Sequence, residues 1–80
     1  MDQKIVVEIF GESYPLKTDQ DPEYLKKLAA FVDKEMRAVA QRGNFSGARV
    51  GALTALKLAD EYFQIKKDFD EMADLVRKNK

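Results

Sequence analysis

Residues 46–78 read SGARVGALTALKLADEYFQIKKDFDEMADLVRK, a run with no proline and, past Gly51, no glycine. Within it Ala55, Leu58, Tyr62, Ile65, Phe69, Met72 and Val76 recur at alternating steps of three and four. That spacing lines one seam of a helix that lies along another helix. Ser46 can cap the first turn through its hydroxyl, while Arg77, Lys78 and Lys80 put positive charge where the helix dipole favours it. A helix of about 32 residues, rising about 1.5 Å each, is roughly 48 Å long. A compact chain of 80 residues has a radius of gyration near ~12 Å and spans only about 30 Å. The helix must project from any globule the chain builds alone, with Phe69, Met72, Leu75 and Val76 on its outer half. A second copy of the chain is the simplest cover, so the expectation is a homo-oligomer, a dimer or a tetramer.

Composition points the same way. A chain this short sits near the limit of a self-sufficient core and commonly adds a disulfide, a metal or a partner. With no cysteine and no histidine, disulfides, thiolate nucleophiles, imidazole bases and most zinc chemistry are removed together. The expectation is a protein that is not an enzyme, with no catalytic residue, no metal and no cofactor. Tyr14, Tyr24 and Tyr62 lie on or beside apolar stripes and read as core or interface edge. The 14 basic and 14 acidic side chains cancel, so no global field steers the chain to nucleic acid or membrane. Locally they are uneven: Lys34, Arg37, Arg42 and Arg49 face only Glu35, whereas Asp60, Glu61, Asp68, Asp70, Glu71 and Asp74 face Lys66 and Lys67. The first residues carry no apolar signal segment, and no run approaches the ~20 apolar residues of a membrane span. A cytoplasmic protein is expected.

Working outward from the long helix, residues 3–18 read as a β-hairpin. Ile5, Val7 and Ile9 alternate with Lys4, Val6, Glu8 and Phe10, and Tyr14 and Leu16 continue the inward face. Gly11-Glu12 suits a two-residue type II′ turn, and Pro15, lacking an amide proton, implies a free edge on the second strand. Val6 and Phe10 fall on the opposite face, so contacts are expected on both sides. Asp21-Pro22-Glu23 is a helix start. Leu25, Leu28, Ala29, Val32, Met36, Val39 and Ala40 then form one amphipathic stripe, with Phe31 off it. Gly43 would stop that helix in the left-handed conformation. From Val50 to Ile65 a second row, Ala52, Leu56, Ala59 and Phe63, runs beside the seam, and the wide apolar sector so formed would also receive the first helix and the hairpin. The fold expected is α+β and helix-dominated, in ββαα order. Residues 1–65 would form a head that includes the inner half of the long helix, and residues 66–80 a coiled-coil stalk.

Two stretches, IVVEIFGESYPLKTDQDPEYLKKLAAFVDKEM (5–36) and GNFSGARVGALTALKLADEYFQIKKD (43–68), carry a resemblance. The strand ending in Ile-Phe-Gly, the Asp-Pro-Glu-Tyr-Leu helix start and the Ala-Leu-x-Leu-Ala-Asp-Glu core resemble the ZapA family of small bacterial cell-division proteins, over essentially the whole chain. Lys57 departs from the asparagine of the family's Ala-Leu-Asn-Leu. The resemblance implies a cytoplasmic, non-enzymatic scaffold at the division septum at mid-cell. It would bind filaments of the tubulin-like GTPase FtsZ and bridge protofilaments into bundles that form the Z-ring. It also implies head-to-head dimers that join into tetramers through antiparallel long helices. The family's contact region falls near the connection between the helices, where Arg37, Arg42, Asn44 and Arg49 lie, and guanidinium groups pair well with carboxylates of an acidic partner. The bland alternative is solvated charge or an internal pair such as Arg37 with Asp33.

Other readings are weighed beside this one. Glu61, Lys66 and Asp68 would permit a parallel stalk, whereas the rings of Tyr62 and Phe69 crowd a two-stranded seam and favour more helices. A generic coiled-coil adaptor would share the seam but have another target. A small nucleic-acid binder would use the cations between Lys34 and Arg49 with Phe45, against an acidic stalk and zero net charge. Anionic membrane would be repelled by the same acids.

Overall fold

The computed structural model describes residues 3–78. Strand β1 (Gln3–Ile9) and strand β2 (Glu12–Thr18) precede helix α1 (Pro22–Ala40) and helix α2 (Gly47–Lys78). This is the helix-dominated α+β, ββαα order expected from the sequence. The charge expected at Lys80, with the first two and last two residues of the expected head and stalk, lies outside the described residues.

The hairpin turns one residue earlier than expected. Ile9 pairs with Glu12, so Phe10 and Gly11 form the turn, with φ of 52° and 82°. Two left-handed residues make a type I′ turn, whose twist matches that of the strands; the Gly11-Glu12 type II′ reading is thereby corrected. A phenylalanine is unusual at positive φ. Its backbone N–H donates to Asp33 Oδ1 at 2.7 Å, which fastens the turn to α1. Hydrogen-bonded and open pairs alternate from the turn, so Pro15, opposite Val6, directs its nitrogen away from β1 and spares the ladder. Ile5 and Val7 are buried against Ala29 of α1, with Ile9 and Leu25 around them. Val6 projects from the other face and is 63% exposed.

Helix α1 begins as expected: Asp21 accepts from the N–H of Glu23 at 3.1 Å, and Pro22 takes the first helical position. Its apolar stripe serves two neighbours, β1 through Leu25 and Ala29 and α2 through its C-terminal half. Its end differs from expectation. Helix α1 stops at Ala40, Gln41 stays right-handed, and the N–H of Arg42 donates to the Val39 carbonyl at 3.0 Å. Gly43 does not have a positive φ. What glycine supplies there is room, since a Cβ would stand 2.6 Å from Cζ of Phe45.

Helix α2 is capped by Ser46, whose Oγ accepts from the N–H of Arg49 at 3.2 Å. Its contact with α1 is made where Val50 and Thr54 are nearly sealed, at 1% and 2% exposure, with Leu58 half-buried one turn on. Of the apolar sector expected to receive α1 and the hairpin, the row Ala52, Leu56, Ala59 and Phe63 stays exposed. Helix α1 lies on the neighbouring face, and β1 packs on α1. From Ala59 to Arg77 every residue is exposed except Ala73. The Cα atoms fit a slab of 52 × 41 × 14 Å with a radius of gyration of 17.1 Å, well above the ~12 Å of a compact chain this size.

Candidate functional site

The connection between the helices arranges its side chains in a stack. With no Cβ on Gly43, the Phe45 ring lies against that backbone, and the guanidinium of Arg49 sits 5.4 Å from the ring centroid. A cation held over an aromatic face is attracted by the ring quadrupole, so Phe45 fixes the direction of Arg49. Ala38, Val39, Arg42, Phe45, Leu53 and Lys57 line an adjoining cavity of about 340 Å³. Its floor is apolar and its rim cationic. Through Leu53 and Lys57 it is continuous with a shallower depression of about 670 Å³ over Leu56, Asp60 and Phe63.

Lys57 joins the helices across this groove. Its Nζ lies 2.8 Å from Glu35 Oε1, a carboxylate whose side chain is only 14% exposed. That hydrogen bond holds the Lys57 ammonium above its ordinary pKa. Arg42 and Arg49 thus meet around Phe45, and Asn44 is exposed between them. Arg37 belongs elsewhere. Its Nε donates to Asp33 Oδ2 at 2.9 Å, on the carboxylate that also holds the hairpin turn. The hydrogen bond from Arg37, and then that from the Phe10 N–H, hold the Asp33 carboxyl below its usual range.

The groove can dock an acidic surface bearing an apolar side chain. Among the described residues, no group of histidine, cysteine or carboxylate side chains could hold a metal ion. Among the same residues, no helix is long and apolar enough to cross a membrane. The seam residues of α2 lie open: Ala55, Tyr62, Ile65, Phe69, Met72 and Val76 are exposed, Phe69 to 71%, and Leu58 is half-buried. From the sequence, Leu53, Glu35 and Lys57 had no part in a site, and Phe45 entered only in the nucleic-acid alternative. Phe45 was visible only as an aromatic in a short connection, and the partnership of Glu35 and Lys57 spans 22 positions, beyond any local spacing rule.

A small ββα head on a rod of bare apolar side chains defines a class of protein built to meet partners at its surface. The comparisons give that class a family. Residues 5–79 match the model described as Cell division protein ZapA, and the chain belongs to that family. It is 30% identical over 78 residues to the Cell division protein ZapA of Geobacillus thermodenitrificans, covering 96% of this chain and 86% of that one. To the protein of the same name from Shouchella clausii it is 28% identical over 69 residues, covering 85% and 88%. Among solved structures it resembles a ZapA mutant dimer from Geobacillus stearothermophilus, with a TM-score of 0.74 at 23% identity over 96% of this chain and 91% of that one. A solved structure described as an unknown conserved bacterial protein from Pseudomonas aeruginosa PAO1 gives a TM-score of 0.78 at 22% identity, over 95% and 86%.

Proposed function

We propose that this chain is a self-associating, cytoplasmic scaffold of the division septum that binds FtsZ protofilaments and bundles them, without catalysis or cofactor. The observation that carries the reading is the bare rod: α2 runs 32 residues, and its seam from Tyr62 to Val76 is covered by nothing among the described residues. A second copy lying along that seam removes the apolar side chains from water and places two heads at a fixed separation. Linked heads then hold two filaments with an avidity about 10²–10⁴ above that of one head. The head gives the same indication. In a slab 14 Å thick, Tyr14, Leu16, Leu28 and Phe31 remain exposed, whereas stable domains close two layers on one another. The solved relative from Geobacillus stearothermophilus is a mutant dimer, which fits self-association. In it, residues 66–80 are the stalk, and the oligomer is formed by Ala55, Leu58, Tyr62, Ile65, Phe69, Met72 and Val76.

The filament contact is assigned to Arg42, Asn44 and Arg49 around Phe45, with Arg37 as an outlying cation already engaged by Asp33. Sedimentation of FtsZ with GTP tests the whole. The parent should co-pellet with filaments and increase the pelleted mass. Arg42→Glu with Arg49→Glu should lose co-pelleting while keeping its oligomer size. Parent protein that stays in the supernatant, or that shifts a DNA fragment in a gel instead, overturns the reading.

A further inference from the structure

The outward face of the hairpin is used by nothing described so far. On it Lys4 stands directly opposite Lys17, and Val6 opposite Pro15. Both are the open pairs of the ladder, in which Cα atoms approach to about 4.5 Å and side chains are closest. Like charges set directly opposite each other destabilise a hairpin, and neither lysine is in an ion pair among the described residues. Beside the two ammonium groups lies an apolar step, with Val6 63% exposed next to the ring of Pro15. Lys4, Val6, Pro15 and Lys17 wall a depression of about 370 Å³. Helix α1 covers the opposite face of β1.

We propose that this face docks an extended acidic segment of a partner protein, its carboxylates between Lys4 and Lys17 and its apolar side chains on Val6 and Pro15. A shared anion relieves the repulsion that the pairing builds in, and a local rule broken without compensation marks a functional surface. The occupant is extended because the cationic and apolar pairs follow each other at a strand's repeat, about 6.8 Å along the chain for two residues. Lipid fits less well. Two lysines are a small basic patch, Glu8 shares their face, and the net charge is zero. This surface is separate from the filament contact assigned to the helix connection.

The test uses the full ¹⁵N-labelled chain with a synthetic octapeptide alternating aspartate with leucine and valine. The controls are a lysine-for-aspartate version and phosphatidylglycerol vesicles. Expected are amide shifts at Lys4, Val6, Leu16 and Lys17 with the acidic peptide alone. Lys17→Glu should weaken that binding about two- to fivefold, the effect of losing an exposed charge contact. The same substitution gives Lys4 a cross-strand carboxylate, so its melting temperature should hold or rise, which separates lost docking from lost folding. Shifts confined to Arg42–Arg49, absence of shifts, or equal dependence on Lys17 with vesicles would overturn the proposal. A parent that fails to co-pellet with FtsZ would defeat the filament reading and leave this one untouched.

Discussion

The hydroxyl of Thr54 is sealed between α1 and α2 with no hydrogen-bond partner among the described residues. Burying such a group unpaired costs about 1–3 kcal/mol by mutational measures. Valine has nearly the same shape, so Thr54→Val should stabilise the chain by about 1 kcal/mol, read as a higher urea midpoint with unchanged slope. Asp33 is the contrary case, a carboxylate with both oxygens engaged. Its folded pKa lies below that of the unfolded chain. The stability it adds is therefore complete above the unfolded value of about 3.9 and is lost as pH falls through the folded one. Between pH 7 and pH 5 Asp33→Asn should melt lower than the parent, and below about pH 4 the gap should close. A gap that persists at pH 2 would show that the carboxylate's charge is not what fastens the turn.

At the scale of elements, periodicity and caps made most of the fold legible. Ser46, Asp21 and Pro22 announce the helix starts, and the seven-residue rhythm carries α2 to Lys78, the last described residue. Both misreadings concern glycine. At Gly11 the left-handed conformation is real, but Phe10 shares it, and nothing local in a phenylalanine signals that; the hold of Asp33 on its amide comes from 23 positions away. At Gly43 the need is space for Phe45, a requirement that only packing reveals. Gly43→Ala should accordingly displace the ring from Arg49, at a stability cost below the ~1 kcal/mol of core overpacking, because the atom in the way is the far end of a side chain. Denaturation gives the cost. The displacement is read from loss of the ring-current shift on the Arg49 side-chain protons, and an unmoved signal would mean that the ring does not rest on that glycine.

For the whole molecule, the pattern of apolar residues told which surfaces want cover but not what covers them. Leu56 and Phe63 belong to the greasier row of α2, part of the apolar sector from Val50 to Ile65 expected to receive α1 and the hairpin. Helix α1 instead took the face of Val50 and Thr54, which offers a valine and a hydroxyl, and left the greasier row bare. A hydrophobic stripe registers burial against anything, within the chain or beyond it, so periodicity cannot separate the two. Of the candidate cations, Arg42 and Arg49 meet around Phe45 whereas Arg37 is held by Asp33, and the Glu35–Lys57 pair that spans the groove was not legible. Mass action supplies the separation. If copies bind along the seam, association stabilises the folded chain and the melting temperature rises with concentration. Between about 1 and 100 μM the parent should gain several degrees. A glutamate at the middle of the seam would be buried unpaired on association, a cost of several kcal/mol. Phe69→Glu should therefore melt at a fixed, lower temperature and scatter light as a smaller species. The outer turns of α2, with no partner, should also fray, visible as reduced helical circular dichroism. A parent whose melting ignores concentration would mean that the rod stands bare in solution, and the proposed bridging of filaments would lose its physical basis.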